Sequence, residues 1–117
     1  MDFFLSYAYD DKSRISNVVK ELKSKGIVEA HDKITETSEI FVPGVSVRGQ
    51  VRKAIEAASK FVVVWSVAGG KSDWVNYEIG MAEALGKPIL VIVPKGEISQ
   101  LPNSLKHSQI IELENVR

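Results

Sequence analysis

The chain has 117 residues, which suits one domain around a single core, and its 44% apolar and 26% charged content is that of an ordinary globular protein. Fifteen basic residues balance fifteen acidic ones, so the basic excess typical of nucleic-acid binding is missing, and the lack of cysteine excludes disulfide and thiolate chemistry. No apolar run approaches the roughly 18 residues that cross a bilayer, and the leading MDFFLSYAYDDKSR has neither the charged start nor the cleavage site of a signal peptide. The expectation is a cytoplasmic protein with no nucleic-acid or membrane partner.

Asp2–Tyr7 is a short, nearly continuous apolar run, the pattern of a strand covered on both faces. Lys12–Lys25 carries Ile15, Val18, Val19 and Leu22 at helical spacing, with Asp10 or Asp11 as the expected cap and Gly26 as the stop. Ile27–Asp32 alternates weakly and is expected to be a second strand, at an edge. Lys33–Gly44 is then a long polar connection with one apolar knot, Ile40-Phe41-Val42. Connections of that length are more often functional than decorative. Ser46 is expected to cap a helix running to Ala58, with Val47, Val51, Ala54, Ile55 and Ala58 buried.

Phe61–Trp65 reads as a strand, Ser66–Ser72 as a small polar loop, and residues 73–86 as a helix. Val75, Ile79, Ala82 and Leu85 or Met81 face inward, and Gly86 ends it. Ile89–Val93 is wholly apolar, a central strand by composition. Asn103–His107 is expected to make one helical turn before a fifth strand, Gln109–Leu113. Alternating strands and helices predict an α/β fold over residues 1–117. The expected form is a flavodoxin-like, doubly wound sheet of five parallel strands in the order 2-1-3-4-5. Ligands of such sheets bind beyond the carboxyl ends of the strands at the topological switch point, here between the first and third strands.

The residues exclude several chemistries at that point. The third strand ends Trp65-Ser66, not in the aspartate of a phosphoacceptor receiver, and YAYDDK offers no glycine turn for a pyrophosphate. His31 and His107 lie on separate segments without metal-ligand spacing and are expected to be solvated or at edges, and Gly69-Gly70 is expected to be a plain loop turn rather than the anion-binding nest that two glycines can also form. Trp74 and Glu78, four apart, share one helix face. A carboxylate beside aromatic rings suits reaction at a ribose, where it stabilises an oxocarbenium-like state. Spacing alone leaves the alternative open that Trp74 packs beneath the loop and Glu78 is a surface helix residue.

FLSYAYDD, the Pro43-Gly44 loop with its following AIEAASK helix, VVVWS, SDWVNYEIGMA and GKPILVIV together resemble the TIR domain, and its bacterial NAD+-cleaving branch in particular. The likeness runs in order from Phe3 to about Val93. It implies a five-stranded flavodoxin-like sheet and cleavage of NAD+ to nicotinamide and ADP-ribose or a cyclic ADP-ribose isomer. NAD+ is then substrate, and no cofactor is needed. In the W-x-x-x-E motif Glu78 would be catalytic and Trp74 would line the site. Ser6, Tyr7, Asp10, Tyr77 and Phe41 would complete substrate binding. Phe41, Pro43 and Gly44 would form a self-association loop. The resemblance further implies a role in anti-phage defence with a separately encoded effector or sensor.

Two features depart from the family pattern. Val42 stands where an arginine or acidic residue often precedes the Pro-Gly, and the chain stops at Arg117 where a final helix usually follows. The expectation is therefore a minimal domain or a piece of a longer protein. The competing functions are a non-catalytic adaptor acting through TIR–TIR or host-protein contacts at the Ile40-Phe41-Val42 knot, and a nucleoside deoxyribosyltransferase-like enzyme.

Overall fold

The computed structural model describes residues 1–36, 46–67, 72–106 and 108–113, with Tyr9 and Asp10 described by backbone alone. Five parallel strands form one sheet in the order β2-β1-β3-β4-β5, as the alternation of elements predicts. They are β1 (Asp2–Tyr7), β2 (Lys33–Glu36), β3 (Lys60–Val64), β4 (Ile89–Pro94) and β5 (Gln109–Leu113). Among the described residues, three helices cross between them: α1 (Ile15–Ser24), α2 (Val47–Ala57) and α3 (Asp73–Ala84).

Side-chain parity sorts the core into two layers. Phe4, Phe61, Val63, Trp65, Val91 and Val93 pack with Val51 and Ile55 of α2 and Val75, Ile79 and Ala82 of α3. Phe3, Leu5, Val62, Val64, Leu90 and Ile92 pack with Ile15, Val18 and Leu22 of α1. Successive strand residues alternate between the two, as the pleat requires. Phe4 and Phe61 are register partners, and their rings stack at 5.8 Å. Both faces being covered explains why β3 and β4 are apolar along almost their whole length.

Most helix ends follow their sequence signals. The Ser46 and Ser72 hydroxyls accept from the Gly49 and Val75 N–H groups and start α2 and α3. Gly26 and Gly86 have φ of 73° and 67°, the left-handed conformation that closes a helix without a Cβ clash. The start of α1 differs from expectation. A 3-10 segment, Tyr9–Arg14, leads into it, and the residue before α1 makes no side-chain cap. Asp11, expected as a cap candidate, is instead buried. Val47, expected to be buried, is exposed in the first turn of α2.

The second strand also sits later than its apolar residues suggest. Ile27–Asp32 is a turn, and β2 begins at Lys33. Asp32 decides the difference: its carboxylate accepts from the Glu29 N–H at 2.8 Å, its own N–H returns to the Glu29 carbonyl, and the N-terminal amine donates to it at 3.1 Å. Lys33 to Glu36 then pair with Asp2 to Leu5. At the opposite pole of α3, the Lys87 ammonium donates to the Glu56 and Ala58 carbonyls at 2.6 and 2.8 Å, tying the end of α2 to the turn before β4.

Folding lowers the pKa of Asp32 from the ordinary value of an aspartate. The Glu29 backbone bond is the main cause, with the N-terminal amine assisting and partial desolvation opposing. A carboxyl with a depressed folded pKa stabilises above its unfolded pKa, and that contribution is lost as pH falls through the folded value. The urea midpoint of Asp32→Ala is therefore expected to lie below that of the parent at neutral pH. The gap should narrow as pH drops below about 4, the ordinary range of an aspartate.

Candidate active site

α3 buries a stripe of Val75, Glu78, Ile79 and Ala82, spaced i, i+3, i+4 and i+7. One position of that stripe is a carboxylate. Glu78 is 1% exposed, so the reading of it as a surface helix residue is overturned. Burying a carboxylate among apolar groups is costly unless hydrogen bonds replace its water. Ser6 supplies one: its hydroxyl donates to Oε1 of Glu78 at 2.9 Å, across 72 residues of sequence. Ser6 is itself 1% exposed. It follows Phe4 by two residues, so it faces α2 and α3 as Phe4 does, and it lies near the carboxyl end of β1, level with Val63 of β3.

The first turns of α3, which lead to Glu78, carry two aromatic residues. The Trp74 and Tyr77 rings stack at 5.4 Å with 29° between their planes. Trp74 is half-buried against the α2–α3 core layer. The Arg48 guanidinium, at the start of α2, lies 5.3 Å from the Tyr77 ring centroid. Arg48 lies off the buried stripe of α2, so this cation over an aromatic face is not legible from one helix alone.

A second serine–carboxylate bond spans the switch point, joining the 3-10 segment before α1 to the chain just after β3. The Ser66 hydroxyl donates to Oδ2 of Asp11 at 2.6 Å, and both residues are buried. An Arg14 nitrogen lies 3.5 Å from the other Asp11 oxygen. The sequence marks Asp11 only as a cap candidate, and nothing local to it names Ser66 as its partner.

Of the residues expected at the site, Ser6 bonds to Glu78, and Trp74 stacks on Tyr77 in the same helix. Tyr7 lies half-buried against the α1 layer, on the face away from Glu78. Asp10 falls in the 3-10 segment, and its side chain lies outside the described residues. Phe41, Pro43 and Gly44 lie outside them too, as do Gly69, Gly70 and His107. His31 is exposed between Glu29 and Asp32, as expected of an edge histidine. The indole N–H of Trp65, at the end of β3, is buried without a hydrogen-bond partner among the described residues. A cavity of about 190 Å³ lies at the amino ends of β1 and β2, lined by Asp2, Phe3, Lys33, Thr35 and the alanines closing α2. It is at the wrong end of the strands for the Glu78 site.

The TIR domain family model matches residues 3–116. The chain belongs to the TIR domain family. Solved structures agree on the fold. The TIR domain of the Toll-related receptor TRR-2 from Hydra magnipapillata superposes with a TM-score of 0.71 at 22% identity, covering 94% of this chain and 82% of that one. The Clostridium botulinum CMP N-glycosidase BcmB superposes with a TM-score of 0.63 at 21% identity, covering 97% and 87%. The TIR domains of the activated Roq1 resistosome give 0.60 at 22% identity, covering 80% of this chain and 57% of that one. No curated protein matches the sequence. Within this TIR domain, no helix of the described residues is long and apolar enough to cross a membrane.

The Ser6–Glu78 bond sets an energetic asymmetry. Ser6→Ala leaves a buried carboxylate short of a donor, which costs about 1–3 kcal/mol or more. Glu78→Leu removes the charge and completes the apolar stripe. We expect Ser6→Ala to lower the urea midpoint, Glu78→Leu to keep or raise it, and the double variant to recover most of the Ser6→Ala loss. A double-mutant cycle by urea unfolding checks this.

Proposed function

We propose that this TIR domain is an N-glycosidase that cleaves the nicotinamide–ribose bond of NAD+, with Glu78 as its catalytic carboxylate. The observation that carries the proposal is the Ser6–Glu78 bond, a carboxylate buried at the carboxyl end of the sheet where the strand order reverses. A buried charge in an otherwise apolar stripe works against stability, and such groups concentrate at functional sites.

The reaction follows from one carboxylate. The bond between C1′ of the ribose and the pyridinium nitrogen breaks, and its electron pair neutralises the ring. Nicotinamide therefore leaves without a proton donor. The positive charge passes to the ribose as an oxocarbenium-like state, which a carboxylate stabilises in a site of low dielectric. Ser6 holds the Glu78 carboxylate in one orientation. The stacked Trp74 and Tyr77 rings offer a platform for a flat base, and Arg48 a cation for the phosphates. Asp10 and Phe41 are further substrate contacts in this reading, whereas Tyr7, packed on the α1 side, is not. Water adding to C1′ and losing a proton gives ADP-ribose, whereas attack by a nitrogen of the adenine gives a cyclic isomer. The same reading places the protein in anti-phage defence, self-associating through Phe41, Pro43 and Gly44.

A second substrate is favoured by the likeness to the CMP N-glycosidase, which covers nearly this whole chain. Cytosine leaves CMP as a poorer, neutral leaving group and needs a proton that nicotinamide does not. The experiment is to incubate the purified protein at high concentration with NAD+ or CMP and follow nicotinamide or cytosine. Nicotinamide release is expected, and Glu78→Gln should lower it ~10²–10³-fold, the scale of losing one electrostatic stabiliser of the transition state. Cytosine release alone would replace NAD+ by CMP. No release of either base, or equal release by Glu78→Gln, would leave the adaptor reading. Arg48→Ala should raise KM for NAD+ with little change in kcat, as expected for binding uniform to ground and transition states.

A further inference from the structure

The proposed reaction uses Glu78 and leaves Asp11 without a part, although Asp11 is only 2% exposed. Its surroundings differ from those of a cap or a surface ion pair. The 2.6 Å bond from Ser66 is short, as hydrogen bonds to a charged acceptor are, and it joins residues 55 apart in sequence. Ser66 is the second residue after β3. The next residue, Val67, donates its N–H to Oε1 of Glu97 at 3.2 Å, from the loop after β4. Two carboxylates thus grip successive residues at the exit of β3, Asp11 from the β1 side and Glu97 from the β4 side. Five residues further on, Ser72 caps α3 through the Val75 N–H, and Trp74 and Glu78 follow. Ser72 through Glu78 are the residues whose placement the site needs.

We propose that Asp11 is a positioning residue for the site: through Ser66 it fixes where β3 releases the chain, and so where α3 sets Trp74 and Glu78. Asp11 touches no reacting atom. Its 3-10 segment follows β1, which also carries Ser6, after the single residue Ala8. The start of β1's exit therefore sets both partners of the catalytic pair, Ser6 directly and Glu78 by way of Ser66. This inference rests on the proposed glycosidase reading for its effect on turnover, but not for its effect on the segment itself.

The test compares Asp11→Ala, Asp11→Asn and Ser66→Ala in the full chain, by hydrogen exchange of peptides spanning 66–78 and 89–94 and by nicotinamide release. Asparagine retains an oxygen that can accept from Ser66, whereas alanine does not. Expected are faster exchange at 66–78 in Asp11→Ala and Ser66→Ala with 89–94 unchanged, a fall in kcat of about tenfold with KM nearly constant, and recovery of most of both in Asp11→Asn. Ser66→Ala serves where Asp11→Ala does not fold. Exchange at 66–78 equal to the parent, uniform acceleration across the sheet, or unchanged kcat in an active protein would each overturn the proposal. If the parent releases neither nicotinamide nor cytosine, the glycosidase reading fails on its own, and the exchange pattern alone decides the role of Asp11.

Discussion

A carboxylate that folding must bury is the constraint around which this domain is built. Glu78 occupies a position in the inward stripe of α3 that would otherwise hold an aliphatic side chain. Isolated there it would oppose folding, and Ser6 offsets that by reaching it from the neighbouring strand. The bond requires β1 and β3 to be adjacent, β1 to present Ser6 to the α3 face, and α3 to begin where its Ser72 cap places it. Strand order, pleat and helix start are thus satisfied together.

The two faces of the sheet divide the labour. On the α2–α3 face stand the carboxylate, its serine, the stacked Trp74–Tyr77 pair and Arg48. Toward the α1 face, Asp11 and Arg14 pair in the segment that leads into α1, and Asp11 takes the bond from Ser66. The proposed chemistry needs the first group, and the geometry of the first group depends on the second. Tyr7 illustrates the division: one residue beyond Ser6, it faces the other layer.

Much of this was legible in the sequence because the signals were local. The helical stripes, the Gly26 and Gly86 stops, the Ser46 cap and the apolar strands are each written in a few neighbouring residues, and together they give the sheet order. The second strand was misplaced because weak alternation in Ile27–Asp32 counts for less than one aspartate that folds back on Glu29, while Ile34 and Thr35 carry the β-branched character that β2 uses. Glu78 was found by its motif spacing and its likeness to a family. Its burial could have been read from Val75, Ile79 and Ala82, which put residue 78 on their own face. Asp11–Ser66 and Arg48–Tyr77 were illegible for another reason: each joins two elements, and neither element alone signals the partner.

The serine–carboxylate bonds have one more consequence, for the alignment of the strands. Phe61–Val64 of β3 and Ile89–Pro94 are apolar on both faces. Sliding such a strand by one residue exchanges valine for valine or isoleucine, so hydrophobic burial distinguishes poorly between alignments. A one-residue slip of β3 against β1 would turn Ser66 away from Asp11 and bring the bulk of Trp65 in its place, while displacing α3 and Glu78 from Ser6. Each wrong alignment would then bury a carboxylate without its hydroxyl. The polar pairs at the carboxyl end of the sheet thus act as a ruler, marking one alignment among several that the oily interior would accept.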